Sequence, residues 1–168
     1  GEHGTGLLPK RFLLKTTAKA GIPDAVEDVR VQHTNGTSHL TFKTYDQRRE
    51  SFQGTEQDMI LLDEEPPEDI YGECLIRTMT TNGLILMTFT PLQGLTGVVT
   101  SFMPGGKLPT QEELLHPDNK KYIVQATWDD VPHLTKEQKE ALWDSIPPHL
   151  RAARAKGVPV MGSGAIYP

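Results

Sequence analysis

The sequence predicts an α/β fold of three layers with a mainly parallel sheet. Three observations carry that expectation. Two short apolar runs, Met59 to Leu62 and Leu84 to Phe89, are nearly continuous instead of alternating. Strands covered on both faces look like this. Between them Glu68 to Thr80 reads as a helix, opened by Pro66-Pro67 and closed by Asn82-Gly83. Strand, helix and strand within about 30 residues make a βαβ unit, whose crossover is normally right-handed.

Composition sets the outer bounds. A chain of 168 residues is long enough for one domain with a core. With 36% hydrophobic and 23% charged residues it reads as globular. A net charge of −5 argues against a surface built wholly around nucleic acid, while local basic patches stay open. The single cysteine, Cys74, excludes a disulfide framework and a cysteine-based zinc site. No run approaches the ~20 apolar residues of a membrane span, and no signal-peptide pattern stands at the start. A cytosolic setting is the default. The first residue is Gly, not Met, so the chain is expected to be a fragment or a processed product.

The elements follow in order. Gly1 to Gly6 is turn-like, and Arg11 to Ala20 reads as a short helix ended by Gly21 and Pro23. Val29 to His33 and Ser38 to Tyr45 read as strands, with Leu40 and Phe42 on one face of the second. Asn35-Gly36 between them signals a hairpin, because both residues tolerate positive φ. Asp46 to Gly54 is a polar loop or short helix. After the βαβ unit, Thr90 to Gly97 is a loop at the carboxyl end of its second strand, and Tyr122 to Thr127 reads as a third buried strand. Thr135 with Gln138 forms a capping box for a helix over Lys136 to Ser145. Pro147-Pro148 interrupts, His149 to Lys156 is a second helix, and Gly157 is its C-cap. Gly157 to Pro168 is a glycine-rich tail or linker.

The chemistry concentrates in "MILLDEEPP", Met59 to Pro67, where the apolar run meets three carboxylates. Ligands of open α/β sheets bind beyond the carboxyl ends of the strands. Four apolar residues followed by Asp-Glu is the Walker B pattern of a P-loop ATPase. In that pattern the Asp holds Mg²⁺, usually through water, and the next Glu orients the attacking water; Asp63 and Glu64 stand at those two positions. Phosphoryl transfer needs positioned charge more than covalent chemistry, which suits two adjacent acids with different tasks. Two other readings stay open at this point. One is a buried strand that leaves into a solvated acidic loop. The other is a two-metal carboxylate cluster that includes Glu68 and Asp69, although these also suit the first turn of a helix. Thr88 and Thr90 at the tip of the second strand suit sensing of a γ-phosphate, and also simply suit a strand. The phosphate loop GxxxxGK[ST] occurs nowhere in the 168 residues; Gly106-Lys107 is followed by Leu108 and reads as a turn.

Taken in order, "GTGLLP", "LTFKTYDQRRESFQG", "MILLDEEPPEDIYGE", "LILMTFTPLQG", "ATWDDVPHL" and "GVPVMGSGAIYP" resemble the large subunit of tailed-bacteriophage terminases. The resemblance covers nearly the whole chain. It implies a partial RecA-like P-loop ATPase fold, with a partial ATPase core over residues 1–130 and a helical lid or linker over 131–168. It implies Asp63 as the Mg²⁺ ligand, Glu64 as the catalytic carboxylate, and Thr88, Phe89 and Thr90 as the coupling motif between hydrolysis and DNA movement. Arg48 and Arg49 are candidates for an arginine that acts on a neighbouring subunit's ATP, against the plainer reading of a solvated pair. The implied cofactors are ATP and Mg²⁺. The implied partners are double-stranded DNA, the portal protein, the small terminase subunit and further copies in a ring, with no membrane, in the cytoplasm of an infected host. The family's Walker A is expected before residue 1 and its nuclease domain after Pro168, so the chain alone is expected to bind ATP poorly. A truncated domain that only binds protein partners, or another ATPase of this fold such as a helicase, are the competing readings.

The remaining polar residues attract plainer roles. Trp128 is expected in the core, and Asp129 and Asp130 in caps or turns. His33, His39, His116, His133 and His149 lack metal-ligand spacing. Arg151, Arg154 and Lys156 suit a helix C-terminus, and Cys74 a buried helix position.

Overall fold

A computed structural model describes residues 6–160, and the chain groups into two units, Gly1–Ser51 and Phe52–Pro168. The class is α/β, with one antiparallel and one parallel sheet plus helices.

In the first unit, β1 (Leu13–Ala18), β2 (Val26–His33) and β3 (Gly36–Thr41) form an antiparallel sheet in that order. The helix expected over Arg11 to Ala20 is therefore a strand, preceded by one 3₁₀ turn at Lys10–Phe12. Its sequence carries Thr16 and Thr17, which lose χ1 freedom in a helix, and pairing decides the matter: Leu13 stands opposite Val31 and Thr16 opposite Val29. The hairpin forms where Asn35-Gly36 predicts it, one residue out of step. Thr34 and Asn35 make the loop, and Gly36, at φ 140°, already pairs with His33. Strand β3 ends at Thr41, short of the expected Tyr45. Residues 45–52 form two 3₁₀ turns, Tyr45–Gln47 and Arg49–Phe52.

The second unit opens with the βαβ unit. Strands β4 (Met59–Asp63) and β5 (Leu84–Thr88) are parallel, paired from Met59–Leu84 to Asp63–Thr88, and α1 (Glu68–Met79) joins them. The connection is tight at its return. Thr81 Oγ1 donates to the Gln57 carbonyl at 2.6 Å, and the Leu84 amide to Asp58 at 2.9 Å. Helix α1 packs on both strands. It covers the face bearing Ile60, Leu62, Ile85 and Met87, and buries its own Ile70, Tyr71 and Cys74. Behind it lies α2 (Gly97–Phe102), with Val98 and Val99 almost fully buried and the Phe102 ring 6.2 Å from that of Tyr71. Each such buried aliphatic side chain contributes about 1.5–3 kcal/mol.

The expected third layer and mainly parallel sheet do not form among the described residues. The larger sheet is antiparallel, the parallel one has two strands, and Met59, Leu61, Leu84 and Leu86 are 47–61% exposed on its other face. Continuous apolar runs suit cover on two faces, and within the second unit α1 covers one. Tyr122 to Thr127 is not a strand either. No neighbouring strand pairs with it, and Tyr122 and Val124 are exposed. Strand propensity without a ladder partner leaves an irregular segment.

Short helices follow: α3 (Gln111–Leu115), α4 (Lys136–Ser145) and α5 (Arg151–Lys156). Helix α4 has the predicted bounds, and its Thr135–Gln138 capping box is formed. Gly157 adopts the left-handed conformation at the end of α5, as a C-cap requires. Three further boxes form among the described residues: Thr44 with Gln47, Thr110 with Glu113, and Thr127 with Asp130.

Two glycines of the βαβ unit have opposite requirements. A Cβ at Gly83 would stand 2.5 Å from the Gln57 carbonyl and 2.7 Å from that of Asp58, both backbone atoms that cannot swing aside. Gly72, inside α1, has open space around it. Gly83→Ala is expected to destabilise by roughly 2 kcal/mol or more, and Gly72→Ala to stabilise by roughly 0.5–1 kcal/mol. Denaturant unfolding of the two variants checks both signs. The caps give a pH signature. The Thr110 amide, then its hydroxyl, holds the Glu113 carboxyl below the usual range, and Thr127 does the same for Asp130. A lowered folded-state pKa means stabilisation that is complete above the unfolded pKa and lost as pH falls through the folded one. Carboxyl titration by NMR should place the Glu113 midpoint below the usual carboxylate range, and Thr110→Ala should raise it part of the way back.

Candidate functional site

Parallel pairing brings the tips of β4 and β5 side by side. Asp63 is the last residue of β4 and stands in register with Thr88, the last of β5. The Thr88 hydroxyl donates to Asp63 Oδ1 at 3.0 Å. One more ladder bond lies beyond the strand, where the Glu64 amide donates to the Thr88 carbonyl at 2.7 Å. Glu64 itself adopts φ +68°. That left-handed conformation costs a non-glycine residue about 1–2 kcal/mol. Such strain persists where the surroundings fix it, and it gathers at functional sites. Here it ends β4 and turns the chain towards α1, leaving both Asp63 and Glu64 exposed.

Glu65 takes the opposite course. It is 8% exposed, and its Oε1 accepts from the Thr96 hydroxyl at 2.5 Å. Its Oε2 is buried and has no hydrogen-bond partner among the described residues. Thr96 is the N-cap of α2 and accepts from the Val99 amide at 3.1 Å, so its one hydroxyl gives a proton to Glu65 and receives one from the helix. Three residues on, Glu68 Oε1 accepts from the Gly97 amide at 2.6 Å. Three consecutive acids thus have three environments: a strand tip, a strained turn and a buried anchor. The sequence singles out the first two. For Glu65 the only signal was a third acid directly before Pro66-Pro67.

The other named residues divide. Phe89 and Thr90 follow Thr88 in a half-buried loop. The Thr90 carbonyl accepts from Leu92 at 2.8 Å, and the Pro91 carbonyl from Val160 at 3.2 Å. Arg49 opens the second 3₁₀ turn and Arg48, at φ +62°, stands between the two turns, both exposed. Glu68 and Asp69 occupy the first turn of α1, and no group of three or more His, Cys, Asp or Glu residues assembles a metal cluster among the described residues. Trp128 is half-buried instead of core, its ring edge-on to Trp143 at 6.4 Å, with the Arg151 guanidinium 5.3 Å from the Trp143 ring. Asp130 has the expected turn role, accepting from the Thr127 amide at 2.7 Å. Gly106-Lys107 is a turn, and Cys74 is fully buried. The glycine-bearing start and the end of the tail, residues 1–5 and 161–168, lie outside the described residues. None of the helices among the described residues is long and apolar enough to cross a membrane.

The tip offers hard oxygen donors, the Asp63 carboxylate and the Thr88 hydroxyl, beside a second exposed carboxylate. That donor set suits Mg²⁺, which keeps several waters and takes one or two carboxylates from a protein.

Comparison with known proteins gives the geometry its context. Residues 3–168 match the family described as terminase large subunit, T4likevirus-type, N-terminal. The chain is 38% identical over 172 aligned residues to the "Terminase, large subunit" of Salmonella phage P22, covering 99% of this chain and 32% of that protein. It is 41% identical over 101 residues to the "Terminase, large subunit" of Enterobacteria phage LP7, covering 60% of this chain and 19% of that one. The chain thus spans about a third of the length of the P22 relative. No solved structure matches it. The chain belongs to the T4likevirus-type terminase large subunit family and corresponds to its N-terminal region.

Proposed function

We propose that this chain is the Walker B-bearing part of an ATPase that packages double-stranded DNA into procapsids. The observation that carries the proposal is the tip of the parallel pair, where Asp63 and Thr88 are hydrogen-bonded and Glu64 is held just beyond them. In this reading Asp63 holds Mg²⁺ through water, and Thr88 keeps the carboxylate oriented. Glu64 orients and polarises the attacking water. Bound Mg²⁺-ATP would supply the transferable phosphoryl group and neutralise its charge. Thr88, Phe89 and Thr90 run from the acids into the following loop, which suits a segment coupling hydrolysis to DNA movement. Membership of the family supports DNA packaging as the process.

The same reading places the βαβ unit in a RecA-like sheet larger than β4 and β5. The four exposed apolar side chains on their uncovered face support this. The phosphate-binding loop absent from these 168 residues would come from another part of the polypeptide, and the length of the P22 relative leaves room for one. Arg48 or Arg49 would act on the ATP of a neighbouring copy in a ring. The portal, the small terminase subunit and DNA phosphates would be the partners, in the cytoplasm of an infected host. A sequence-independent motor contacts phosphates, and its DNA affinity falls steeply with salt.

Two ATPase assays test the proposal. The 168-residue chain is expected to bind Mg²⁺-ATP weakly and to hydrolyse none. The polypeptide as its gene encodes it is expected to hydrolyse ATP, with Glu64→Gln and Asp63→Ala each lowering turnover by roughly 10²-fold or more. Hydrolysis by the encoded polypeptide that is untouched by Glu64→Gln would contradict the assignment. An encoded polypeptide that binds no nucleotide would favour a partner-binding domain.

A further inference from the structure

We infer that Glu65 and Thr96 form a positioning pair that holds Glu64 in its left-handed turn, and so sets where the catalytic carboxylate stands. The inference rests on the ATPase reading above and adds two residues to it. Glu64 is fixed from two sides. On its N-terminal side the ladder bond to the Thr88 carbonyl continues the register of β4 and β5. On its C-terminal side Glu65 is buried, and its carboxylate is tied to Thr96 at 2.5 Å. A residue at φ +68° relaxes unless both neighbours are fixed. Glu65 cannot follow such a relaxation without breaking its bond to Thr96. Thr96 cannot follow without uncapping α2, whose Val98 and Val99 are among the most buried side chains of the chain.

Burial of Glu65 argues for such a task. A carboxylate with one buried oxygen lacking a hydrogen bond among the described residues is costly, and an apolar side chain would fill the position more cheaply. The second grip, Glu68 on the Gly97 amide, points the same way. A side chain at Gly97 would run into that carboxylate, so a glycine stands where the grip requires closeness. Both carboxylates hold successive residues at the start of α2, Thr96 and Gly97, and both flank the turn from the acidic tip into α1. Neither Glu65 nor Thr96 is assigned contact with a nucleotide. They act through the backbone of Glu64.

Two readouts test the pair. The first is amide hydrogen exchange in the 168-residue chain. Thr96→Val keeps volume and removes the hydroxyl, and Glu65→Leu keeps volume and removes the acceptor. Each is expected to speed exchange of the Glu64 amide at least tenfold, with the Ile60 and Leu62 amides of β4 unchanged. Thr96→Ser and Glu65→Gln, which retain donor and acceptor, are expected to preserve protection. Unchanged Glu64 exchange in Thr96→Val and Glu65→Leu would overturn the inference. If either of those two variants fails to fold, the Ser and Gln variants still decide it, because loss of Glu64 protection in folded Thr96→Ser or Glu65→Gln contradicts a hydrogen-bond role. The second readout is ATP hydrolysis by the polypeptide as its gene encodes it. Thr96→Val is expected to lower kcat about tenfold with KM for Mg²⁺-ATP within twofold, and Thr96→Ser to restore it. Turnover abolished by Glu64→Gln but untouched by Thr96→Val would overturn the positioning pair and leave the ATPase reading standing. Turnover indifferent to Glu64→Gln would overturn the ATPase reading, while the exchange experiment still reports on the turn.

Discussion

The hydrogen bond from the Glu64 amide to the Thr88 carbonyl is where the parallel ladder gives way to the turn that carries the candidate site. Up to Asp63 the backbone obeys the parallel ladder, and every residue from Met59 has a partner on β5. One residue later the ladder bond persists, but φ has changed sign. The register therefore reaches the acidic tip intact, while the backbone is free to turn into α1. Because Thr88 provides both the carbonyl for Glu64 and the hydroxyl for Asp63, one residue of β5 orients two adjacent acids. A slip of one residue in that register would move every side chain to the other face and separate these groups.

What sustains the strained turn is packing some distance from it. Helix α1 covers one face of the strand pair through Ile70 and Cys74, and α2 backs it with Val98 and Val99. The short helix α2 is capped by Thr96, which is in turn anchored by Glu65. Polar contacts at the tip and apolar contacts beneath it are thus parts of one arrangement. The uncovered face of β4 and β5 shows the limit of that arrangement. On it Leu61 is 61% and Leu84 60% exposed.

The sequence was legible where local chemistry and tertiary pairing agree. The α4 bounds follow from Thr135 and Gln138, which satisfy the first turn without help from elsewhere. The βαβ unit follows from two apolar runs and a proline-opened helix. It was misleading where a partner decides. "LLKTTA" became a strand because Val26–His33 lies opposite it, and "YIVQAT" stayed irregular because no strand among the described residues does. At the candidate site, the placement of Asp63 and Glu64 at the end of a strand was legible. The conformation of Glu64 and the burial of Glu65 were not, since both depend on Thr96, 31 residues beyond Glu65. Adjacent acids look alike in a sequence, and only the fold separates them into a tip, a turn and an anchor.

The most direct measurement is paramagnetic broadening by Mn²⁺-ATP of the amide spectrum of the polypeptide as its gene encodes it. If Asp63 holds the metal at the strand tip, amides 62–65 and 88–90 should broaden first, and Asp63→Ala should abolish the effect. The α4 helix would report non-specific binding. Broadening centred away from the tips of β4 and β5, or unaffected by Asp63→Ala, would contradict the assignment of this site.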